Sequence, residues 1–210
     1  MLSSNNVESL IIATLNPGKV KEIRTFLESL PCHPVGLEQL PAAPVCQEDG
    51  ESFEANARQK ALHYSRFSKC LTLADDSGLE VDALGGLPGV RSARLLSESA
   101  SDKDRYMEIL RRLLDIPESQ RTARFMCCVA LARQGELLAV FSGVLEGCIT
   151  REPRGNQGFG YDPIFLIPAL HKTVAELLTE EKDEISHRGQ ALRAMQSYLQ
   201  NNLQTAAKPD

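Results

Sequence analysis

Asp75 and Asp76 stand side by side after an apolar run, Cys70-Leu71-Thr72-Leu73-Ala74, inside the stretch LADDSGLEVDALGG from Leu73 to Gly86. Adjacent carboxylates repel, and taking either out of water is costly unless a cation compensates. Hard oxygen ligands without histidine suit Mg²⁺, which commonly takes one or two carboxylates together with substrate phosphates and water. An Asp-Ser-Gly turn with one aspartate capping the backbone explains the same residues, and both readings stay open. A second acidic group, Glu48, Asp49, Glu51 and Glu54 in QEDGESFEANA, crowds a helix start. There, carboxylates either offset the helix dipole or bind metal.

Two further loops carry the opposite chemistry. ATLNPGK, Ala13 to Lys19, is a turn running into a helix, where backbone N–H groups and the dipole favour phosphate and Lys19 adds a full charge. It is not a P-loop, since Ala13 stands where that motif needs Gly and Val20 where it needs Ser or Thr. A plain helix start with a solvated lysine is the alternative. GNQGFGYDPIF, Gly155 to Phe165, surrounds Phe159 with glycines, and a ring displayed on such a loop can stack on a nucleobase. Its rival is a structural loop with Phe159 and Tyr161 folded inward. His187-Arg188, in EKDEISHRG, supplies hydrogen-bond donors or, more plainly, a solvated helix start. Together the four loops offer a phosphate cradle, a Mg²⁺ site, a base-stacking ring and a donor set, which are the parts of a nucleotide site.

The elements that must position these residues alternate strands with helices. Leu10 to Thr14 reads as a strand, Lys19 to Leu30 as a helix with Val20, Ile23, Phe26, Leu27 and Leu30 on one face, and Ser52 to Phe67 as a second helix with Phe53, Ala57, Ala61 and Tyr64 inward. Cys70 to Ala74 is a strand that Ser77-Gly78 should interrupt before Leu79 to Leu84. Ser101 and Asp104 open a helix to about Leu114. Arg124 to Ala132 and Leu137 to Leu145 form a hairpin about Gln134-Gly135. Pro163 to Ile167 follows the glycine loop, and a helix runs from about Ser186 to Leu203, ahead of a frayed tail, Gln204 to Asp210. The expected fold is α/β with a mixed sheet.

A formal net charge of -5 over 210 residues argues against a protein that coats nucleic-acid polymers, although a small anion can still find a local basic cluster. No segment approaches the ~18 apolar residues of a membrane span, and Met1 to Glu8 lacks the basic region of a signal peptide. The six cysteines form no Cys-x-x-Cys pair and read as reduced core residues of a cytoplasmic protein. The four histidines show no metal-site spacing.

ATLNPGK, SFEANA, LADDSGLEVDALGGLPGVRSAR, GFGYDPIF and EKDEISHRGQAL, in that order over about residues 10 to 192, resemble the signature blocks of the inosine/xanthosine triphosphate pyrophosphatases, the HAM1-like family. The resemblance implies Mg²⁺-dependent hydrolysis of ITP, dITP and XTP to monophosphate and pyrophosphate by a homodimer. It also implies a single domain over residues 1–210, built on an elongated mixed sheet with flanking helices forming two lobes around a central cleft. By motif position, Asp76 resembles the general base and a metal ligand, Glu48 matches the other acidic metal position, and Asp75 lies beside it. Lys19 falls at a catalytic position. Thr14, Leu15, Asn16, Pro17, Gly18, Lys19, Ser77, Phe159, Gly160, Tyr161, Asp162, Lys182, His187 and Arg188 fall at substrate-binding positions, with Lys19 and Lys182 expected to neutralise the pyrophosphate. The chain departs from the pattern at Gln47, where many members carry a second acid, at Arg91, usually aromatic, and at Leu95-Leu96-Ser97. A pyrophosphatase of other nucleotides, or a non-catalytic nucleotide sensor, are the alternatives.

Overall fold

The computed structural model describes residues 8–28 and 30–205. In chain order the elements are β1 (Glu8–Ile12), α1 (Pro17–Leu27), β2 (Cys32–Gly36), α2 (Phe53–Ser65), β3 (Leu71–Val81), α3 (Asp102–Arg112), β4 (Thr122–Arg133), β5 (Glu136–Ile149), β6 (Phe165–Ile167), β7 (Lys172–Thr173), α4 (Thr179–Ile185) and α5 (His187–Thr205). The strands make one sheet in the order β2-β1-β3-β4-β5-β6-β7. β1 pairs parallel with β2 and β3, while β6 pairs antiparallel with β5 and β7, so the sheet is mixed as expected. The hairpin forms as read: Gln134 and Gly135 both take positive φ, 51° and 83°, the backbone that a two-residue hairpin turn requires.

The chain divides into two compact units, one of residues 1–76, 128–141 and 191–210, the other of 77–127 and 142–190. The first is built on the parallel strands. Leu10, Ile12 and Leu73 are buried in them, with Ile23 and Leu27 of α1 and Ala57 and Ala61 of α2 supplied by the helical stripes legible in the sequence. Asn16 caps α1 by accepting from Lys19 N–H, and Ser52 caps α2 by accepting from Ala55 N–H. The second unit packs Leu79, Ile109, Leu113, Phe125, Ile164 and Phe165 into its own cluster. Ser101 and Asp104 form a reciprocal capping box on α3. Arg121, 2% exposed, donates to Leu113, Ile116 and Thr150 carbonyls, which satisfies its charge near the C-terminus of α3 without a carboxylate.

One expectation fails in an informative way. Ser77-Gly78 does not interrupt the strand; β3 runs unbroken from Leu71 to Val81. Gly78 is there for space, since a Cβ would fall 2.3 Å from Ser92 Oγ and 2.7 Å from the Gly89 carbonyl oxygen. α5 continues through Thr205, into the stretch expected to fray from Gln204; residues 206–210 lie outside the described residues, as do Met1 to Val7. All six cysteines are free, but only Cys127 and Cys128 are buried, the other four being half-buried. Among the described residues no helix is long and apolar enough to cross a membrane.

Candidate active site

The strand geometry of β3 answers how two adjacent acids share a core. Successive side chains of a strand leave on opposite faces, so Asp75 and Asp76 do not face each other. Each meets a separate ammonium group. Lys19 Nζ of α1 lies 2.9 Å from Asp75 Oδ1, with the Asp75 carboxylate fully buried. Lys60 of α2 lies 3.8 Å from Asp76 Oδ1 and 3.3 Å from Glu48 Oε1, and is itself 6% exposed. The compensation that the sequence suggested for a divalent ion lying by both aspartates is therefore supplied, in the protein alone, by two lysines on two helices.

Asp76 also accepts from Asn56 Nδ2 at 3.0 Å. Burial pushes its carboxyl above the ordinary carboxylate value, and Lys60, Lys19 and the Asn56 hydrogen bond pull back without cancelling the rise. Burial alone would drive the Lys60 ammonium down, yet Asp76, Asp75 and Glu48 outweigh it and the net shift is upward. Lys60 thus stays charged.

Two carboxylates converging on one cation also meet the chemistry of a hard-metal site: Glu48 and Asp76 bring oxygen donors alone, as Mg²⁺ prefers. Among the described residues no group of three or more His, Cys, Asp or Glu gathers tightly enough to hold a metal unaided. Further ligands would have to be water or phosphate, as is usual for Mg²⁺. Gln47, the departure beside Glu48, is exposed.

The Ala13–Lys19 loop is narrower as a phosphate cradle than its sequence suggested. Pro17 at the first helical position has no N–H, Asn16 Oδ1 takes that of Lys19, and Val20 N–H goes to Asn16 O, leaving Gly18 N–H in the first turn. Thr14 Oγ1 accepts from Asn16 N–H at 3.2 Å, and Leu15 is 72% exposed.

The second unit gathers the remaining residues. Asp162, 4% exposed, accepts from Lys182 Nζ at 2.6 Å and from Phe159 N–H at 3.0 Å, so one carboxylate holds both the loop and the lysine. Lys182 Nζ stands 4.8 Å and Arg188 Cζ 5.7 Å from the centroid of the Phe159 ring, within cation–π range. Gly160 N–H donates to Asp102 Oδ2 of α3 at 2.8 Å. His187, 6% exposed, stacks on Phe125 with centroids 4.9 Å apart, and Arg188, 3% exposed, donates to Ser77 Oγ at 2.8 Å. A buried guanidinium in the first turn of a helix adds to the positive end of the dipole, an arrangement suited to an electron-rich ligand atom. His187-Arg188 is thus not a solvated helix start.

Two placements sharpen the sequence reading. Tyr161 turns its ring into the core, 5% exposed, with its hydroxyl donating to the Ser92 carbonyl, so its side chain is committed to packing. Lys182, expected to neutralise the pyrophosphate, lies 4.8 Å from the centroid of the Phe159 ring. Asn56 and Lys60 were missed altogether, although their positions were informative: both fall on the buried face of α2 with Phe53, Ala57, Ala61 and Tyr64, where an amide and an ammonium need a reason to be.

Residues 10–198 match the model of the Ham1 family. The chain belongs to that family. A dITP/XTP pyrophosphatase of an Exiguobacterium species is 49% identical over 191 residues, 90% of this chain and 96% of that protein. The Bacillus subtilis dITP/XTP pyrophosphatase is 43% identical over 92% of this chain and 98% of its own length. Among solved structures, a HAM1 protein from Coxiella burnetii superposes with a TM-score of 0.84 at 38% identity, covering 92% of this chain and 99% of that one. The Ham1 assignment fits the mixed sheet.

Proposed function

We propose that this Ham1 protein hydrolyses deaminated purine nucleoside triphosphates, dITP, XTP and ITP, to the nucleoside monophosphate and pyrophosphate. The observation that carries the reading is the buried Asp76, held by Asn56 and Lys60 beside Glu48, in a chain so similar over nearly its whole length to dITP/XTP pyrophosphatases. Asp76 removes a proton from a water whose oxygen attacks the α-phosphorus; the bond from that phosphorus to the bridging oxygen breaks, and pyrophosphate leaves. The raised pKa of Asp76 makes it a better proton acceptor than an ordinary carboxylate. Lys60 and Lys19 hold positive charge where the phosphate charge develops, which is electrostatic stabilisation of the usual phosphoryl-transfer kind. Magnesium, held by Glu48 and Asp76, would add charge neutralisation on the phosphate oxygens and acidify the water.

Base choice falls to the second set. Phe159 stacks on the purine, while Lys182, His187 and Arg188 donate to the 6-oxo group that hypoxanthine and xanthine carry and adenine lacks. A donor left facing the adenine amino group costs about 1–3 kcal/mol. The same set accepts guanine's 6-oxo group equally, so rejection of GTP must come from elsewhere in the pocket. Asp162 acts by holding Lys182 and the Phe159 loop. The six free cysteines suit a reducing cytoplasm, and the reading includes a homodimer.

Removal of the ring tests the base assignment. Phe159→Ala is expected to raise the Kd for ITP about 10- to 100-fold, the value of one base–aromatic stack, and to leave magnesium affinity unchanged. Calorimetry with each ligand reads both. An ITP affinity equal to wild type would make the ring structural.

A further inference from the structure

Asn56 is fully buried on α2, one turn before Lys60, and both ends of its amide are used. Nδ2 donates to Asp76 Oδ2 at 3.0 Å, and Oδ1 accepts from Gly50 N–H at 2.8 Å. The orientation is chemically forced: a backbone N–H can only donate and an ionised carboxylate can only accept. Gly50 lies two residues beyond Glu48. A Cβ there would come 2.7 Å from Asn56 Oδ1 and 2.9 Å from Ala55 Cβ, so the loop reaches Asn56 this closely only with glycine.

Lys60 also joins Glu48 to Asp76, but through an ammonium at 3.3 and 3.8 Å, a contact that tolerates rotation of both carboxylates. The amide is directional. It fixes one named oxygen of Asp76 and the backbone of the Glu48 loop at once. We infer that Asn56 is a positioning residue for the reaction, setting the separation and orientation of Asp76 and Glu48 through one planar amide. The inference rests on the roles given to those two acids above. Asn56 itself transfers no proton.

Asn56→Asp preserves size and the acceptor for Gly50 N–H but turns a second acceptor toward Asp76. Displacing a reacting group by about 1 Å costs roughly 10²-fold, so kcat for ITP should fall by about that factor. KM should stay within about threefold, because the lost interaction serves the transition state rather than substrate binding. Magnesium titrated alone by calorimetry should bind at least about tenfold more weakly, a readout independent of turnover. Gly50→Ala approaches from the other side with Asn56 intact and should shift kcat and magnesium affinity the same way by a smaller factor. It carries the test if Asn56→Asp does not fold.

A purely structural amide would lower the melting temperature yet leave kcat, measured well below it, and magnesium affinity at wild-type values in both variants. That result overturns the inference while an active wild type keeps the reaction intact. A wild type that releases no pyrophosphate overturns the reaction assignment itself, and the positioning role with it.

Discussion

Asp76→Asn is expected to reduce pyrophosphate release from ITP by at least about 10³-fold, combining the loss of a general base, typically 10²–10⁴-fold, with the loss of a proposed metal ligand. The fold should survive. Burial disfavours the ionised form of Asp76, so an isosteric amide removes a desolvation cost, while Lys60 keeps Glu48 at 3.3 Å as its partner. A melting temperature within a few degrees of wild type, alongside lost turnover, assigns the effect to chemistry. Turnover near wild type would remove Asp76 from the base role.

Lys60→Met has the second largest expected effect, and it divides between stability and rate. Breaking a buried ion pair by deleting one partner costs about 3–5 kcal/mol, because the remaining charge stays buried without compensation. Here both Glu48 and Asp76 lose their shared cation. The pH dependence has a definite sign. Asp76 already has a folded-state pKa above its unfolded value, and Lys60 is the leading influence holding it down. Deleting Lys60 raises it further. A group with a raised carboxyl pKa favours the folded state most at low pH, and that contribution is lost as pH rises through the folded value. The destabilisation of Lys60→Met should therefore be largest near neutral pH and shrink on acidification. Urea unfolding at several pH values reads this directly. The kcat should fall about 10²- to 10³-fold, as for loss of one preorganised electrostatic group. A variant of wild-type stability and rate would mean that Lys60 only fills space.

Much of this was legible from residue order. The stripes of α1 and α2, the capping box at Ser101 and Asp104, and the Gln134-Gly135 turn are local signals, and each is present, although α1 starts at Pro17 and ends at Leu27, leaving Leu30 outside the helix. β2 escaped notice because CHPVG is short and polar and carries Pro34, tolerable only because the strand is at a sheet edge. α4, with the sequence TEEKDEI, is too short and charged to show periodicity. The reading of Ser77-Gly78 as a break failed because small polar residues signal turns only when the backbone bends. Here Gly78 makes room for Ser92, and Ser77 accepts from Arg188, both contacts distant in sequence. The acids were visible as charges. Their partners Asn56 and Lys60 were hidden, since polar residues add nothing to the apolar stripe that marks the buried face of α2.

The most direct measurement is pyrophosphate release from a panel of ITP, dITP, XTP, GTP, ATP and TTP, with and without magnesium. The expected result is metal-dependent release in which the 6-oxo purines dITP, XTP and ITP exceed ATP in kcat/KM by at least about 10-fold, the value of one misplaced buried donor. Faster release from TTP or ATP than from ITP, or binding of ITP without any pyrophosphate, would contradict it.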